Sequence, residues 1–391
     1  RHWSRLYLKC NDMDFSVILK DLAVSGNLRK LPEIVHDGRY VISDGRKMLN
    51  LSSNDYLGIA SDSGMMEEFL SSADRRDQLL SSSSSRLLTG NFSVNGRLEE
   101  KLAALFCAEA ALTFTSGYHL NTGILPAVAD SHTLVLADKL VHASIIDGIR
   151  LSAAKTVRFR HQDICQLEHL LEMNHSDYET VIIVVESIYS MDGDVTDLRR
   201  LVSLKKKYGN VMLYVDEAHA VGVRGETGLG VAQEQGCVRD VDFLCGTFGK
   251  ALASIGAYLI CSDEIRRFLV NRMRTLIFTT ALPPINVLWT EFVVDRLCKL
   301  EERRRHLAGI SSFLRESLRI RGLEHPSESH IVPVMAGDSS EAVRKASEMQ
   351  QAGFYLLPVR PPTVPEGTSR LRVSMTAAIT MDEVKDLCGL I

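Results

Sequence analysis

The sequence predicts an α/β fold, with a large domain built on a mostly parallel seven-stranded sheet and a smaller C-terminal α+β domain. Three observations predict it. Short runs of branched or apolar residues recur at 110–114, 133–137, 156–159, 181–185, 211–215, 241–245 and 257–260. Most are separated by helix-compatible stretches such as 198–208, and strands this continuously apolar belong to a sheet covered on both faces. Pro283-Pro284 then breaks the pattern, and a long helical stretch (about 285–321) leads to strand candidates at 331–334 and 371–375.

Taken in order, residues 15–31 carry apolar positions at helical spacing. A hairpin-like stretch follows, with turn signals at Asp37-Gly38 and Asp44-Gly45. These elements define an N-terminal segment over 1–50, a large α/β domain over 51–284 and a C-terminal domain over 285–391. The serine run 81–85 is short enough to be a polar loop.

Composition narrows the function. A formal net charge of −4 gives no electrostatic reason for a nucleic acid or an anionic membrane to bind. No apolar run reaches the roughly 18–20 residues that cross a bilayer, and residues 1–11 lack the apolar stretch of a secretory signal. The eight cysteines, Cys10 among them, form no CxxC pair and no cluster with metal-ligand spacing. Scattered thiols of this kind fit a reducing cytoplasm, and no metal site is expected.

In a parallel sheet the ligand lies beyond the carboxyl ends of the strands, and the unusual polar residues fall there. Asp138 closes one predicted strand, with His142 shortly after; Glu186 and Asp216 close two others. The 241–245 strand leads into Gly246-Thr247-Phe248-Gly249-Lys250. Each has a commonplace reading alone: a strand-terminal Asp is usually a helix cap, and a lysine after glycine is usually a solvated side chain. Together they supply what pyridoxal 5′-phosphate (PLP) requires. Lys250 offers an amine for its aldehyde, and Asp216 a carboxylate for its pyridine nitrogen. Thr247 and the Ser116-Gly117-Tyr118 turn offer donors for its phosphate.

At these residues the chain resembles the α-oxoamine synthases, a group of fold-type I PLP-dependent transferases. Five motifs carry the resemblance, in the group's order: Leu51-Ser52-Ser53-Asn54-Asp55-Tyr56-Leu57-Gly58, Ala137-Asp138-Lys139-Leu140-Val141-His142-Ala143-Ser144, Ser190-Met191-Asp192-Gly193, Val215-Asp216-Glu217-Ala218-His219 and Thr247-Phe248-Gly249-Lys250. The resemblance implies that Lys250 is the Schiff-base lysine and the base for the substrate α-proton. It implies that Asp216 pairs with the pyridine nitrogen, that His142 stacks on the ring, and that His219 bonds the phenolic oxygen. Ser190 would line the same site. Gly117, Tyr118 and Thr247 match phosphate-side positions, and Thr279 or Thr280 would reach the phosphate of a partner subunit in a homodimer whose active sites lie at the subunit interface.

The tail, Val359-Arg360-Pro361-Pro362-Thr363-Val364-Pro365 with Ser369-Arg370-Leu371-Arg372, resembles the branch of the group that makes 8-amino-7-oxononanoate for biotin. That branch joins L-alanine to a pimeloyl thioester, pimeloyl-CoA or pimeloyl acyl carrier protein. Arg360 or Arg372 would then clamp the amino-acid carboxylate, which suits a bidentate guanidinium. Asn54, Thr363 and, after a one-residue gap, Arg29 match further substrate contacts. The alternatives are a relative using glycine and an acetyl thioester, and a non-catalytic subunit of the same fold. A nicotinamide enzyme lacks support, because no GxGxxG follows an early strand. Three departures from the group stand out: the serine run 81–85, Asn95, and Ala253 where a glycine is frequent.

Overall fold

The computed structural model describes residues 14–72 and 78–391. Cys10 and the 1–11 stretch read above lie outside them. The chain divides into two compact units. One groups the described residues up to Ser52 with Val334–Val373, and the other groups Ser53–Pro333 with Ser374–Ile391.

The first unit begins with helix α1 (Phe15–Val24), capped by the Asp14 side chain. The sequence pattern extends to 31, but the helix stops earlier. Gly26 takes a left-handed φ of +68°, and the Asn27 and Leu28 N–H groups both turn back to the Leu22 carbonyl. Strands β1 (Val35–Asp37), β2 (Tyr40–Ser43) and β3 (Arg46–Asn50) form an antiparallel meander. Asp44 and Gly45 both have positive φ, as a tight two-residue hairpin turn demands.

The second unit carries helices α2 (Ser63–Ser72) and α3 (Ser93–Leu105) and then the large sheet. Its strands are β4 (Ala110–Phe114), β5 (Thr133–Asp138), β6 (Lys155–Phe159), β7 (Thr180–Glu186), β8 (Val211–Asp216), β9 (Phe243–Thr247) and β10 (Ala257–Cys261). The spatial order is β4-β10-β9-β8-β7-β5-β6, with β10 antiparallel to both of its neighbours and the β9-β8-β7-β5-β6 run parallel. All seven predicted strands are present. The interior ones are buried along nearly their whole length because Val, Ile and Leu must face helices on either side.

The covering helices start where short polar side chains accept the first free N–H groups. Ser116 caps α4 (Gly117–Val128), His142 caps α5 (Ala143–Leu151), Asp163 caps α6 (Ile164–Asn174) and Asp197 caps α7 (Leu198–Lys207). The short α8 (Val231–Glu234), then α9 (Asp263–Arg272) and α10 (Arg274–Ile277), complete this part. One apolar core runs from Leu112 and Ile124 through Val135, Val184 and Tyr214 to Leu259 and Met273.

The helical stretch expected at about 285–321 is broken. It forms α11 (Pro284–Val294), a 3₁₀ turn at Leu297–Leu300 and α12 (Glu301–Ile320). Across this break the buried Arg304 guanidinium donates to the carbonyls of Leu297, Cys298 and Glu226. Beyond it come β11 (Ile331–Gly337), α13 (Ser339–Gln351), β12 (Phe354–Tyr355), β13 (Pro358–Val359), β14 (Ser369–Ser374) and α14 (Met381–Leu390). In the first unit β12 pairs in parallel with β3, so the tail rejoins the beginning of the chain. The sequence drew its boundaries at 50/51 and 284/285. The structural units instead put 285–333 with the large sheet and 334–373 with the N-terminal strands.

Among the described residues no helix is long and apolar enough to cross a membrane, and no His/Cys/Asp/Glu group could hold a metal ion.

Candidate active site at the carboxyl edge of the sheet

Parallel neighbours end on one edge, which gathers the strand-terminal acids. Glu186 ends β7 directly opposite Asp216 at the end of β8, and Asp216 lies opposite Cys245 on β9. Lys250 follows in the turn that joins β9 to the antiparallel β10. Bonds from Phe248 N–H to the Gly256 carbonyl and from Ser254 N–H to the Phe248 carbonyl, each 2.9 Å, close this turn. Ala253 sits in it at a φ of +47°, a left-handed conformation that explains the glycine frequent at this position.

Two hydrogen-bonded arrays meet at this edge. In the first, Lys250 Nζ lies 2.7 Å from His219 Nε2, and His219 Nδ1 lies 2.7 Å from the Tyr56 hydroxyl. Tyr56 in turn donates to Asn54 Oδ1 at 3.0 Å. With the Tyr56 proton committed to Asn54, His219 carries its proton on Nδ1 and accepts from Lys250 at Nε2. In the second array, Asp216 Oδ1 accepts from the Ala218 N–H at 2.8 Å and Oδ2 from Asn121 Nδ2 at 2.9 Å. The Asn121 amide also reaches Ser144 Oγ, which lies 2.7 Å from His142 Nδ1.

The electrostatics differ from group to group. Part of the His142 imidazole is open to solvent, but the protein packed around the rest lowers its pKa. That burial outweighs the Asp216 charge, which acts the other way, and Lys250 lowers it further. His142 is therefore a neutral ring at neutral pH. Burial, with Asp216 beside it, pushes the Glu186 carboxyl well above the usual range. Glu217 faces the other way. Its carboxyl, raised by burial to about 7, accepts from Ser187 and from the N–H groups of Val231 and Ala232.

Around these arrays stand the remaining predicted positions. Gly117 opens α4, and a Cβ built on it would lie 3.9 Å from the Thr247 side chain, so the helix N-terminus and the Thr247 hydroxyl are neighbours. Tyr118 is exposed, with its hydroxyl on Asp147 at 2.7 Å. Thr279 lines a cavity of about 10 Å³ with Arg86 and Thr115, whereas Thr280 is exposed. Ser190 is half-buried in the loop between β7 and α7. Gly193 shapes that loop at a φ of +71°, and a Cβ there would come within 2.0 Å of the Ile331 carbonyl oxygen. His161 anchors the same loop, reaching Asp138 at 3.0 Å with Nδ1 and Asp194 at 2.8 Å with Nε2.

The predicted substrate-side residues of the tail lie in the first unit. Arg29 donates to the Thr363 hydroxyl at 2.9 Å, and Arg360 donates to the Gly26 carbonyl. Burial, with the Arg29 charge close by, lowers the Arg360 pKa. Two guanidinium groups and a hydroxyl thus form one cationic cluster, and Arg372 stands half-buried on β14.

The comparisons with known proteins agree with this geometry. The family model described as aminotransferase class I and II matches residues 46–391. The chain is 55% identical over 379 residues to a putative 8-amino-7-oxononanoate synthase of Glaesserella parasuis, covering 96% of this chain and 98% of that one. It is 52% identical over 380 residues to the 8-amino-7-oxononanoate synthase of Haemophilus ducreyi, covering 95% and 98%. The chain belongs to the 8-amino-7-oxononanoate synthase family. Its members are PLP-dependent acyltransferases of the fold-type I class. Among solved structures, the serine palmitoyltransferase of Sphingomonas wittichii superposes with a TM-score of 0.88 at 30% identity, covering 98% of this chain and 97% of that chain. That of S. paucimobilis, solved with a bound PLP–myriocin adduct, gives 0.87 at 28% identity, covering 97% and 96%.

The residues present fit PLP. A half-buried lysine amine, a buried carboxylate and a helix N-terminus beside a threonine hydroxyl supply the three kinds of partner the cofactor needs. The sequence reading passed over three contributors. Tyr56 lay inside a quoted motif without a role. Asn121 sits one helical turn beyond Gly117, a spacing that puts both on one face of α4. His161 follows β6 and carries no local signal, since its partners come from two other segments.

Proposed function

We propose that this protein condenses L-alanine with a pimeloyl thioester, releasing carbon dioxide and free thiol, to give 8-amino-7-oxononanoate for biotin synthesis in the cytoplasm. The product's skeleton accounts for both substrates. Alanine minus its carboxyl group supplies the terminal methyl and the amine-bearing carbon, and a pimeloyl group supplies the other seven carbons. The observation that carries the reading is the Lys250–His219–Tyr56–Asn54 run on the sheet edge where Asp216 ends its strand, in a chain more than half identical to these synthases.

Bound PLP supplies an electron sink for negative charge at the amino acid's α-carbon. Lys250 would hold the cofactor through its amine and would take and return the α-proton at Nζ. Asp216 would pair with the pyridine nitrogen. His142 would stack on the ring, His219 would bond its phenolic oxygen, and Ser190 would line the same site. Gly117, Tyr118 and Thr247 would hold the phosphate, with Thr280 reaching it from a partner subunit. Arg360 or Arg372 would take the amino-acid carboxylate, with Asn54, Arg29 and Thr363 as further substrate contacts.

A homodimer with the active site at its interface is part of this proposal. Leu80, Leu88 and Phe278 are each more than 70% exposed, and the 79–90 loop is tied to 281–285 by bonds from Ala281 N–H to Ser84 and from Ile285 N–H to Leu79. An apolar seam of this kind beside Thr280 suits a partner chain.

The test incubates the purified protein with alanine or glycine and with pimeloyl-CoA, pimeloyl acyl carrier protein, acetyl-CoA or succinyl-CoA, following thiol release and product mass. Preference for alanine with a pimeloyl donor is expected. Preference for glycine with acetyl-CoA would overturn the substrate assignment and leave the family standing.

A further inference from the structure

The buried amide of Asn121 makes three hydrogen bonds inside the site. Its Oδ1 accepts from the Tyr214 hydroxyl at 2.6 Å, and its Nδ2 donates to Asp216 Oδ2 and to Ser144 Oγ, each at 2.9 Å. The orientation of the amide follows from its neighbours. Turned over, it would set its oxygen against the Asp216 carboxylate and its N–H groups against the Tyr214 hydroxyl. With Ser144 Oγ accepting from Asn121, the Ser144 proton is directed to His142 Nδ1 at 2.7 Å, where the Ser144 backbone N–H also points at 3.2 Å. Nδ1 is therefore an acceptor, and the proton of the neutral imidazole resides on Nε2.

We propose that Asn121 is a positioning residue that couples Asp216 to His142, fixing one carboxylate oxygen directly and, through Ser144, the tautomer and tilt of the imidazole. The inference rests on the reading above that PLP lies between these two side chains. Its physical content is a division of labour. Donation from the amide holds Asp216 Oδ2 in one orientation. The Ser144 branch holds the His142 ring at a set angle without giving it a charge. One amide thus prepares both the residue facing the ring nitrogen and the residue facing the ring plane.

The test uses the full-length protein with Asn121→Asp, which keeps the side-chain volume but removes both donors, and Ser144→Ala, which cuts only the His142 branch. Two quantities are read: the PLP dissociation constant of the apoprotein, and the ¹⁵N NMR signal of His142 in histidine-labelled protein. Asn121→Asp is expected to weaken PLP binding by about tenfold or more, the scale of a buried group left unpaired. Ser144→Ala is expected to keep the PLP constant within about threefold, since the Asp216 contact survives. Its His142 Nδ1 signal should shift as the hydroxyl bond is lost, while the residue 144 backbone N–H keeps the Nε2–H tautomer.

Parent-like PLP binding by Asn121→Asp, or a parent-like His142 Nδ1 signal in Ser144→Ala, overturns the inference. Should Asn121→Asp not fold, Tyr214→Phe releases the amide's orientation and decides the Asp216 branch by the same titration. A parent protein that binds no PLP would refute the cofactor reading instead. The ¹⁵N measurement of His142 Nδ1, made on apoprotein, would still decide the Ser144 branch by itself.

Discussion

His142 and His161 follow neighbouring strands of one sheet, and the protein sets them to opposite charges. His142 gives Nδ1 to a hydroxyl and a backbone N–H, has its pKa lowered by burial, and is neutral. His161 places each ring nitrogen on a different carboxylate, Asp138 and Asp194. A neutral imidazole has one N–H, so serving two acceptors needs the imidazolium. Burial opposes that charge, but the hydrogen bonds to Asp138 and Asp194 and their charges outweigh it, raising the pKa to about 10. The same side chain thus becomes a flat neutral platform in one place and a permanent ionic rivet in the other. The rivet fastens the loop that carries Ser190. What decides between the two roles is the kind of neighbour supplied, not the depth of burial.

The comparison can be broken at Lys250 first. Lys250→Ala should abolish turnover, a loss of at least about a thousandfold. It should also remove one of the charges that lower the His142 pKa, so the His142 NMR titration midpoint should move up while that of His161 stays. A shift of both would mean that the two sites are not independent. His161→Gln comes next. It strands two buried carboxylates without a countercharge, at a cost of about 3 kcal/mol in unfolding free energy, read by urea titration. Loss of turnover without loss of stability would contradict the rivet role.

The pH dependence has a definite sign. The folded pKa of His161 is raised from 6.5 to about 10, so its stabilisation is complete below pH 6.5 and is lost as pH climbs towards about 10. Melting temperatures measured across that window should fall for the parent and fall less for His161→Gln. His142→Ala should act in the opposite register, leaving stability nearly unchanged. It should weaken PLP binding and turnover by roughly tenfold, the scale of one aromatic contact. The smallest effect concerns the turn itself. Ala253→Gly should relieve a left-handed backbone at a net gain of about 1 kcal/mol, visible as a raised melting temperature.

Most of the large sheet was legible because its signal is local. Strands such as 181–185 and 211–215 announce themselves by their branched apolar residues, and the acids that end them follow in the next position. The helix break at 295–300 was not legible, because no glycine or proline marks it. The first unit was hidden for a related reason: pairing of β3 with β12 joins segments about 300 residues apart, and neither carries a local sign of the other. Lys250, His142, Asp216 and His219 could be named from motifs, and the structure sets Lys250 against His219, and His142 and Asp216 on the Asn121 array. Asn121, Ser144 and Tyr56 bond side chains from distant segments, so no motif spacing announces their arrangement.

The row Glu186, Asp216, Cys245 has one further consequence, for where this chain can change length. These residues are register partners, and a strand's side chains alternate between faces. One residue gained or lost within β8 would therefore turn Asp216 to the opposite side of the sheet and its backbone neighbour into its place. At the far ends of the same strands, turns such as Gly209-Asn210 carry none of the named chemistry. A growing or shrinking sequence in this lineage is accordingly free to vary at one rim of the sheet and is held to the letter at the other.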